Sequence, residues 1–439
     1  MKLTRRHFIQ TLSTAVAAPM VVSRTIFAQD GTPGANERIG VAGIGVGRQG
    51  SGVFLGSAGD KLAQAVCVAD VWLPRAQAVA KRAGITDTES AYQDYRRVLD
   101  RKDVDAVTSA TPEHWRCLTC VEAAQAGKHI YAEKPMSLTI GEGRLMVQAA
   151  RKAKVVFQTG SQQRSQRENA IGCKFIREGG LGEIKEVLAA NYESPWDCAL
   201  PEQAIPEGLD WDIWCGPTKR VPFNRDLFNP RAYPGWLSFR PYSGGEMTGW
   251  GTHGFDQIQC ALGMQETGPV EILVEGEKLE PPTYSAPESA KRGNEFCSSP
   301  RLAFRYANGI TVKLGDPETG KQSNRGGGIF FGTKGKMEIW RGKLSSNPPE
   351  LAANLLKESP IQNQNHQHNW LECILTGATP ISDCEYGHRS ASVCHLLNIA
   401  RYLGRSLKWN PETERFIDDA EADTYLFRPY ENGYELPVV

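Results

Sequence analysis

Residues Arg38-Ile-Gly-Val-Ala-Gly-Ile-Gly-Val-Gly-Arg-Gln-Gly50 decide the fold of this chain. An apolar strand runs into a glycine turn, and Asp70 closes a second apolar run, Gln64-Ala-Val-Cys-Val-Ala-Asp70. The spacing predicts a dinucleotide site. Gly45 permits a tight turn, Gly47 lets the backbone approach a pyrophosphate, and Gly50 lets the following helix pack closely on the strand. The pyrophosphate is expected at that helix's N-terminus, beside Arg48 and Gln49, where unpaired N–H groups and the helix dipole favour an anion. Asp70 suits a ribose diol and repels a 2′-phosphate, so NAD is expected over NADP. Arg75 stands close enough in sequence to soften that preference.

Working outward, short apolar strands alternate with helical patterns from Glu37 to Gly160. Strands are expected at Ile39, Val66, 104–109, 129–132 and 155–159, with helices around 76–82, 95–99, 114–126 and 139–153. Such alternation predicts an α/β domain: a doubly wound parallel sheet with ligands beyond the strands' C-terminal ends. Three polar junctions fall there: Thr111-Pro112-Glu113-His114, Glu133-Lys134-Pro135 and Gly160-Ser161-Gln162-Gln163-Arg164. Thr111, Pro112, His114, Glu133, Lys134 and Gln162 are therefore expected at the cofactor, and Gln163 at the substrate. After Arg164 the pattern changes to strands near 184–192, 270–274, 302–306, 309–314, 328–331 and 336–340, joined by turns such as Asn308-Gly309. This predicts an α+β domain with an open, mainly antiparallel sheet. The boundaries read as residues 36–160, 161–410 and a polar tail at 411–439.

The chain has 439 residues, with Lys plus Arg and Asp plus Glu both 50. That balance gives no long-range field for nucleic acid or an anionic membrane, and suits a small neutral substrate. Arg5 and Arg6 precede Phe8 and a weakly apolar run, Thr11 to Val22, interrupted by Pro19. This resembles a twin-arginine export signal spanning residues 1–28, so a periplasmic location and the twin-arginine machinery as a partner are expected. No later run has the length and apolarity of a transmembrane span. The eleven cysteines are an odd number without paired zinc spacing, and read as buried free thiols. His366 and His368 lack a spaced carboxylate, so no metal is expected.

Tyr131-Ala-Glu-Lys-Pro135 and Gly244-Gly-Glu-Met-Thr-Gly-Trp-Gly-Thr-His-Gly-Phe-Asp256, taken with the glycine turn, resemble the glucose-fructose oxidoreductase, inositol dehydrogenase and MocA family. Asp210-Trp-Asp-Ile-Trp-Cys-Gly-Pro217, Tyr386-Gly-His-Arg-Ser390 and Leu407-Lys-Trp409 resemble its exported bacterial-type branch. The resemblance implies a nicotinamide cofactor, a sugar or cyclitol substrate, and a homo-oligomer built through the C-terminal sheet. It also implies an Asp-x-x-x-His acid–base motif. His253 matches the histidine, but Gly249 stands at the aspartate's place. Asp256 is expected to share a helix face with His253 and orient it, and Glu246 is a second candidate for the missing carboxylate.

Lys134, at a strand end beside a nicotinamide, is placed to bond the reacting oxygen and stabilise developing negative charge, with Glu133 holding its ammonium. Eleven aromatic residues fall between Tyr192 and Trp250. Trp196, Tyr242 and Trp250 are expected to stack on a sugar or to fix a long irregular loop, and the pattern leaves both open. Three functions stand at this point. The first is an NAD-dependent oxidoreductase acting on a sugar or cyclitol with tightly bound cofactor. The second is a redox-neutral NAD-dependent glycosidase or lyase. The third is a non-catalytic cofactor- or carbohydrate-binding protein.

Overall fold

The first run of hydrophobic strands folds as the spacing predicts. In the computed structural model, which describes residues 34, 37–229, 235–285, 297–315 and 323–439, it forms a six-stranded parallel sheet. Its strands are β1 (Ile39–Ile44), β2 (Ala63–Ala69), β3 (Ala91–Tyr92), β4 (Ala106–Ser109), β5 (His129–Ala132) and β6 (Phe157–Thr159). Their order is β3-β2-β1-β4-β5-β6. The order reverses between β1 and β4, which opens a crevice at the strands' C-terminal ends. Every residue of β1 and β4 is buried, as helices covering both faces of a parallel sheet require. The twin-arginine segment lies outside the described residues.

The second sheet is built from β7 (Ile184–Ala189), β9 (Glu271–Glu275), β11 (Arg301–Arg305), β12 (Thr311–Leu314), β13 (Gly328–Gly332), β14 (Gly335–Trp340), β15 (Lys343–Asn347), β16 (Leu407–Asn410) and β17 (Arg415–Phe416). β8 (Asp197–Cys198) and β10 (Thr283–Tyr284) pair separately. The nine strands run β15-β14-β13-β7-β12-β11-β9-β16-β17, antiparallel except where β12 meets β7. Arg301-Leu302-Ala303-Phe304-Arg305 alternates outward charge with inward Leu302 and Phe304, the period of two that fixes register over a one-sided core. Helices Arg167–Arg177, Gly251–Leu262 and Cys384–Leu403 cover the inner face, burying Val187, Phe255, Ile258, Phe330 and Leu396.

Two boundaries differ from expectation. Residues 161–410 are not confined to the second sheet, because helix His366–Thr376 returns to pack on helix Arg48–Ala58. Its Trp370 and Leu371 share a core with Val41, Val53 and Phe54; Trp370→Ala would cost about 3–5 kcal/mol. Helix Cys384–Leu403, buried at 15 of its 20 residues, packs on β6, helix Ile140–Ala153 and the second sheet alike. The segment 411–439 is a strap rather than a free tail. Arg428 pairs with the buried Glu142 at 2.9 Å, and Tyr430, Tyr434 and Val439 pack on the first core. Ile39–Val439 accordingly forms one compact unit. All eleven cysteines are free, and nine are buried.

Candidate active site

A cleft of about 390 Å³ opens at the C-terminal ends of β1, β4 and β5, walled on the far side by Trp214, Phe228, Trp236, Trp250, His253 and Arg341. Its dinucleotide end is shaped by glycines. Gly45 has φ +72°, and a Cβ there would lie 2.9 Å from the Thr111 amide nitrogen. A Cβ on Gly50 would lie 1.9 Å from the Gly45 carbonyl oxygen, so no side chain fits. Helix Arg48–Ala58 starts at Gly47 without a side-chain cap, leaving its first N–H groups to meet an anion. Gly45, Gly47, Arg48, Gln49, Gly50, Asp70, Thr111, Pro112, Glu133 and Gln162 all line the cleft. The buried Thr111 hydroxyl has no hydrogen-bond partner. This cradle fits a dinucleotide.

At the adenosine end, Asp70 is engaged by its own neighbour. Arg75 donates from Nη2 to Asp70 Oδ1 at 2.7 Å and from Nε to Oδ2 at 3.0 Å, and the Trp72 amide also donates to Oδ1. The guanidinium lies against the Trp72 and Phe228 rings, 5.6 and 5.4 Å from their centroids. Segment 207–210 is fastened over this edge: the Asp210 amide donates to the Val71 carbonyl, and the Leu73 amide to that of Gly208.

At the opposite end, Lys134 Nζ donates to the Gly249 carbonyl at 3.2 Å. Burial lowers the Lys134 pKa, against the opposing pull of Glu133, Glu113 and Glu246. Glu133 accepts from Gln49 Nε2 at 3.1 Å, from Gln162 Nε2 at 2.8 Å and from the Lys134 amide at 3.2 Å, and it acts on the ammonium through its charge rather than through a hydrogen bond. His253 is buried, its ring 5.8 Å from that of Trp250, and its Nδ1 has no partner. Burial, reinforced by the positive Lys134 and Arg341, holds its pKa well below the usual 6.5. The imidazole is therefore neutral at neutral pH and ready to take a proton.

Glu113 is a positioning residue that the sequence reading passed over. It is buried, its pKa raised by burial to about 6, and it accepts from Ser243 Oγ at 2.7 Å, the Gly244 amide at 3.0 Å and Thr248 Oγ1 at 3.2 Å. One carboxylate thus ties the first domain to helix Glu246–Gly249, whose last carbonyl holds Lys134. Its place directly after Thr111-Pro112 was the available signal. Arg341, Trp214, Phe228 and Trp236 came to the cleft through long-range folding and carried no local signal.

Five expected site residues are placed elsewhere. Asp256 does not orient His253; it is buried against Arg164, which donates to it from Nε and Nη2 at 2.9–3.0 Å, and Ser390 adds a third donor. The i,i+3 spacing put it near the histidine in sequence, but a buried guanidinium is its partner. His114 is fully buried with Nε2 against the Trp214 carbonyl at 2.8 Å, packed edge-on to Trp214 and Tyr242. Trp196 and Tyr242 are buried in the aromatic cluster that fixes the irregular segment, where Trp211 and Trp214 stack at 4.3 Å. Gln163 donates to the Gly326 carbonyl at 2.6 Å and is buried behind the cleft wall. His366 is buried, its ring bridging Ser165 Oγ and the Thr159 carbonyl.

The family profile for the oxidoreductase family NAD-binding Rossmann fold matches residues 38–161, and the profile for that family's C-terminal α/β domain matches residues 184–436. Levoglucosan dehydrogenase of Pseudarthrobacter phenanthrenivorans is 34% identical over 117 residues, 27% of this chain and 29% of that protein. A glycosyl hydrolase family 109 protein of Shewanella pealeana is 27% identical over 221 residues, 45% of this chain and 48% of that protein. The chain thus matches less than half the length of either curated relative. Among solved structures, aldose-aldose oxidoreductase from Caulobacter crescentus superposes with a TM-score of 0.56 at 20% identity, covering 84% of this chain and 99% of that one. Levoglucosan dehydrogenase in complex with NADH and levoglucosan gives 0.55 at 20% identity, covering 88% and 100%. These superpositions establish the shared fold.

Proposed function

This chain belongs to the glucose-fructose oxidoreductase, inositol dehydrogenase and MocA family, and from that premise we propose that it oxidises a hydroxyl of a sugar, sugar derivative or cyclitol, with NAD accepting the hydride. The observation that carries this reading is a single cleft with the glycine cradle at one end and Lys134 with a partnerless His253 at the other. Lys134 donates a hydrogen bond to the reacting oxygen. His253, neutral and desolvated, takes the hydroxyl proton. Glu133, fixed by Gln49 and Gln162, sets the strand end from which Lys134 projects. Trp250 covers His253 and offers an apolar face to a sugar ring.

Segment 207–210, fastened over the edge that carries Asp70 and Arg75, supports a cofactor retained between turnovers. Retention suits the proposed export through the twin-arginine route, since folded export carries a bound cofactor with it. Assembly through the outer face of the nine-stranded sheet completes the proposal. Gly249 favours a second reading, in which oxidation is transient and the product keeps the substrate's oxidation level, as in an NAD-dependent glycosidase.

The test is to load the purified protein with NAD, add a panel of sugars and cyclitols, and follow the reduced-nicotinamide absorbance. Reduction by one panel member supports the proposal; silence across the panel, with NAD bound, overturns it. Conversion of a glycoside without net NADH selects the second reading.

A further inference from the structure

Four guanidinium groups line the cleft, and their partners sort them. Arg75 is paired with Asp70. Arg116 is buried and donates to the carbonyls of Pro135 and Thr111. Arg48 follows Gly47 at the helix start, where the charge of a pyrophosphate is expected. Arg341 is left at the reaction end. Among the described residues no carboxylate pairs with it, and its recorded contact is with the Trp250 ring, 5.8 Å from the guanidinium carbon.

The backbone that carries Arg341 is held in place. Arg341 and Gly342 form the two-residue turn between β14 and β15, and Gly342 has φ +68°. The Gly342 amide donates to Asn169 Oδ1 at 2.8 Å, while Asn169 Nδ2 donates to Gln257 at 2.9 Å. Asn169 is buried, so the tip of the hairpin is tied to two helices beneath the cleft. The guanidinium, stacked on Trp250, is presented to the same space as His253.

The carboxylates nearby are already engaged. Glu133 takes three donors. Glu193 and Glu246 are gathered by Arg325, at 2.7 and 3.0 Å, and neither lines the cleft. The neutral donors on Glu133 leave its charge facing Lys134, so Arg341 is the cation at the reaction end that no carboxylate among the described residues pairs with. An oxidised nicotinamide ring adds a further positive charge.

Resting on the oxidoreductase reading, we propose that the substrate is an acidic sugar, a uronate-type carbohydrate whose carboxylate is gripped by Arg341 while Lys134 and His253 serve the hydroxyl being oxidised. A planar guanidinium accepts a carboxylate through two parallel N–H bonds, which fixes the ring's orientation as well as its charge. This departs from the neutral substrate that the balanced net charge suggested, because net charge reports the whole surface rather than one cleft.

The experiment uses the full protein loaded with NADH and calorimetric titration with D-glucuronate against D-glucose, and D-galacturonate against D-galactose. The NAD-loaded protein is assayed for cofactor reduction with the same four sugars, myo-inositol and D-glucose 6-phosphate. In at least one pair the acid should bind about 10- to 100-fold tighter, the gain of a charge-assisted hydrogen bond. Arg341→Gln should erase that ratio and Arg341→Lys restore part of it. Neutral sugars bound as tightly as their acids, or a ratio unchanged in Arg341→Gln, overturns the assignment and leaves the parent reading intact where a neutral sugar reduces the cofactor. Preference for D-glucose 6-phosphate overturns it in favour of a phosphate site. Reduction by no member of the panel overturns both readings together.

Discussion

The two ends of the cleft are built on opposite principles. At the adenosine end, charge is settled within the protein: Asp70 and Arg75 satisfy each other, and Trp72 and Phe228 cover the pair. At the reaction end, His253 Nδ1 is buried without a partner, while the exposed Arg341 guanidinium lies against the Trp250 ring with no carboxylate among the described residues paired to it. Burying an unpaired polar group costs about 1–3 kcal/mol, so such groups mark where binding is meant to complete the structure. The closed end is expected to hold its ligand and the open end to turn ligands over.

The largest effect that sharpens this contrast is at the open end. Lys134→Ala and His253→Ala should each lower kcat by about 10²- to 10⁴-fold, the usual range for a positioned proton-transfer group. NAD affinity, read by calorimetry, should stay within about threefold, because neither side chain serves the cradle. Near-normal turnover in either variant removes that residue from the chemistry.

Asp256 separates structure from catalysis. Truncating it leaves Arg164 buried and uncompensated, so Asp256→Ala should destabilise the fold by about 3–5 kcal/mol in denaturant titrations. A variant that folds normally but loses turnover would return Asp256 to the site.

At the closed end, Asp70→Ala frees Arg75 to meet a 2′-phosphate. The preference for NAD over NADP should shrink by about 10- to 100-fold, the worth of a charged hydrogen bond. An unchanged ratio would show that selectivity lies outside this pair.

How legible these regions were in sequence follows the same division. The parallel sheet, its glycine turn and Asp70 are contiguous signals, because hydrophobic period and turn chemistry are local. The helix at Ile140–Ala153 likewise matched its expected span of 139–153 within one residue. For Trp196 and Tyr242 the sequence left stacking and loop-fixing open, because an aromatic residue in an irregular segment has no period to say which side it faces; His114 stands in the first turn of helix Glu113–Gln125, where its core partners Trp214 and Tyr242 come from far along the chain. Asp256 was misplaced because helix spacing names neighbours on one helix and not the guanidinium of another. Arg341 reaches the cleft from a hairpin far along the chain, and helix His366–Thr376 returns to the first sheet; both depend on tertiary packing alone.

The smallest expected effect is in the pH profile. His253 must be neutral to accept a proton, and its depressed pKa keeps it so below pH 6.5. The acid limb of kcat/KM should therefore lie below pH 6.5, with activity lost as pH falls through the depressed value. Removing one of the two nearby positive charges with Arg341→Gln should move that limb upward, toward 6.5. A limb at or above 6.5 in the unaltered protein would contradict a desolvated His253.

The most direct test of the central claim is single-turnover absorbance of the NAD-loaded protein mixed with an oxidisable sugar, in protiated form and deuterated at the carbon that loses hydride. The account predicts a rise in the reduced-nicotinamide band that deuterium slows and that Lys134→Ala and His253→Ala abolish. A band that never rises with any sugar or cyclitol, or that rises unchanged in both variants, would contradict it.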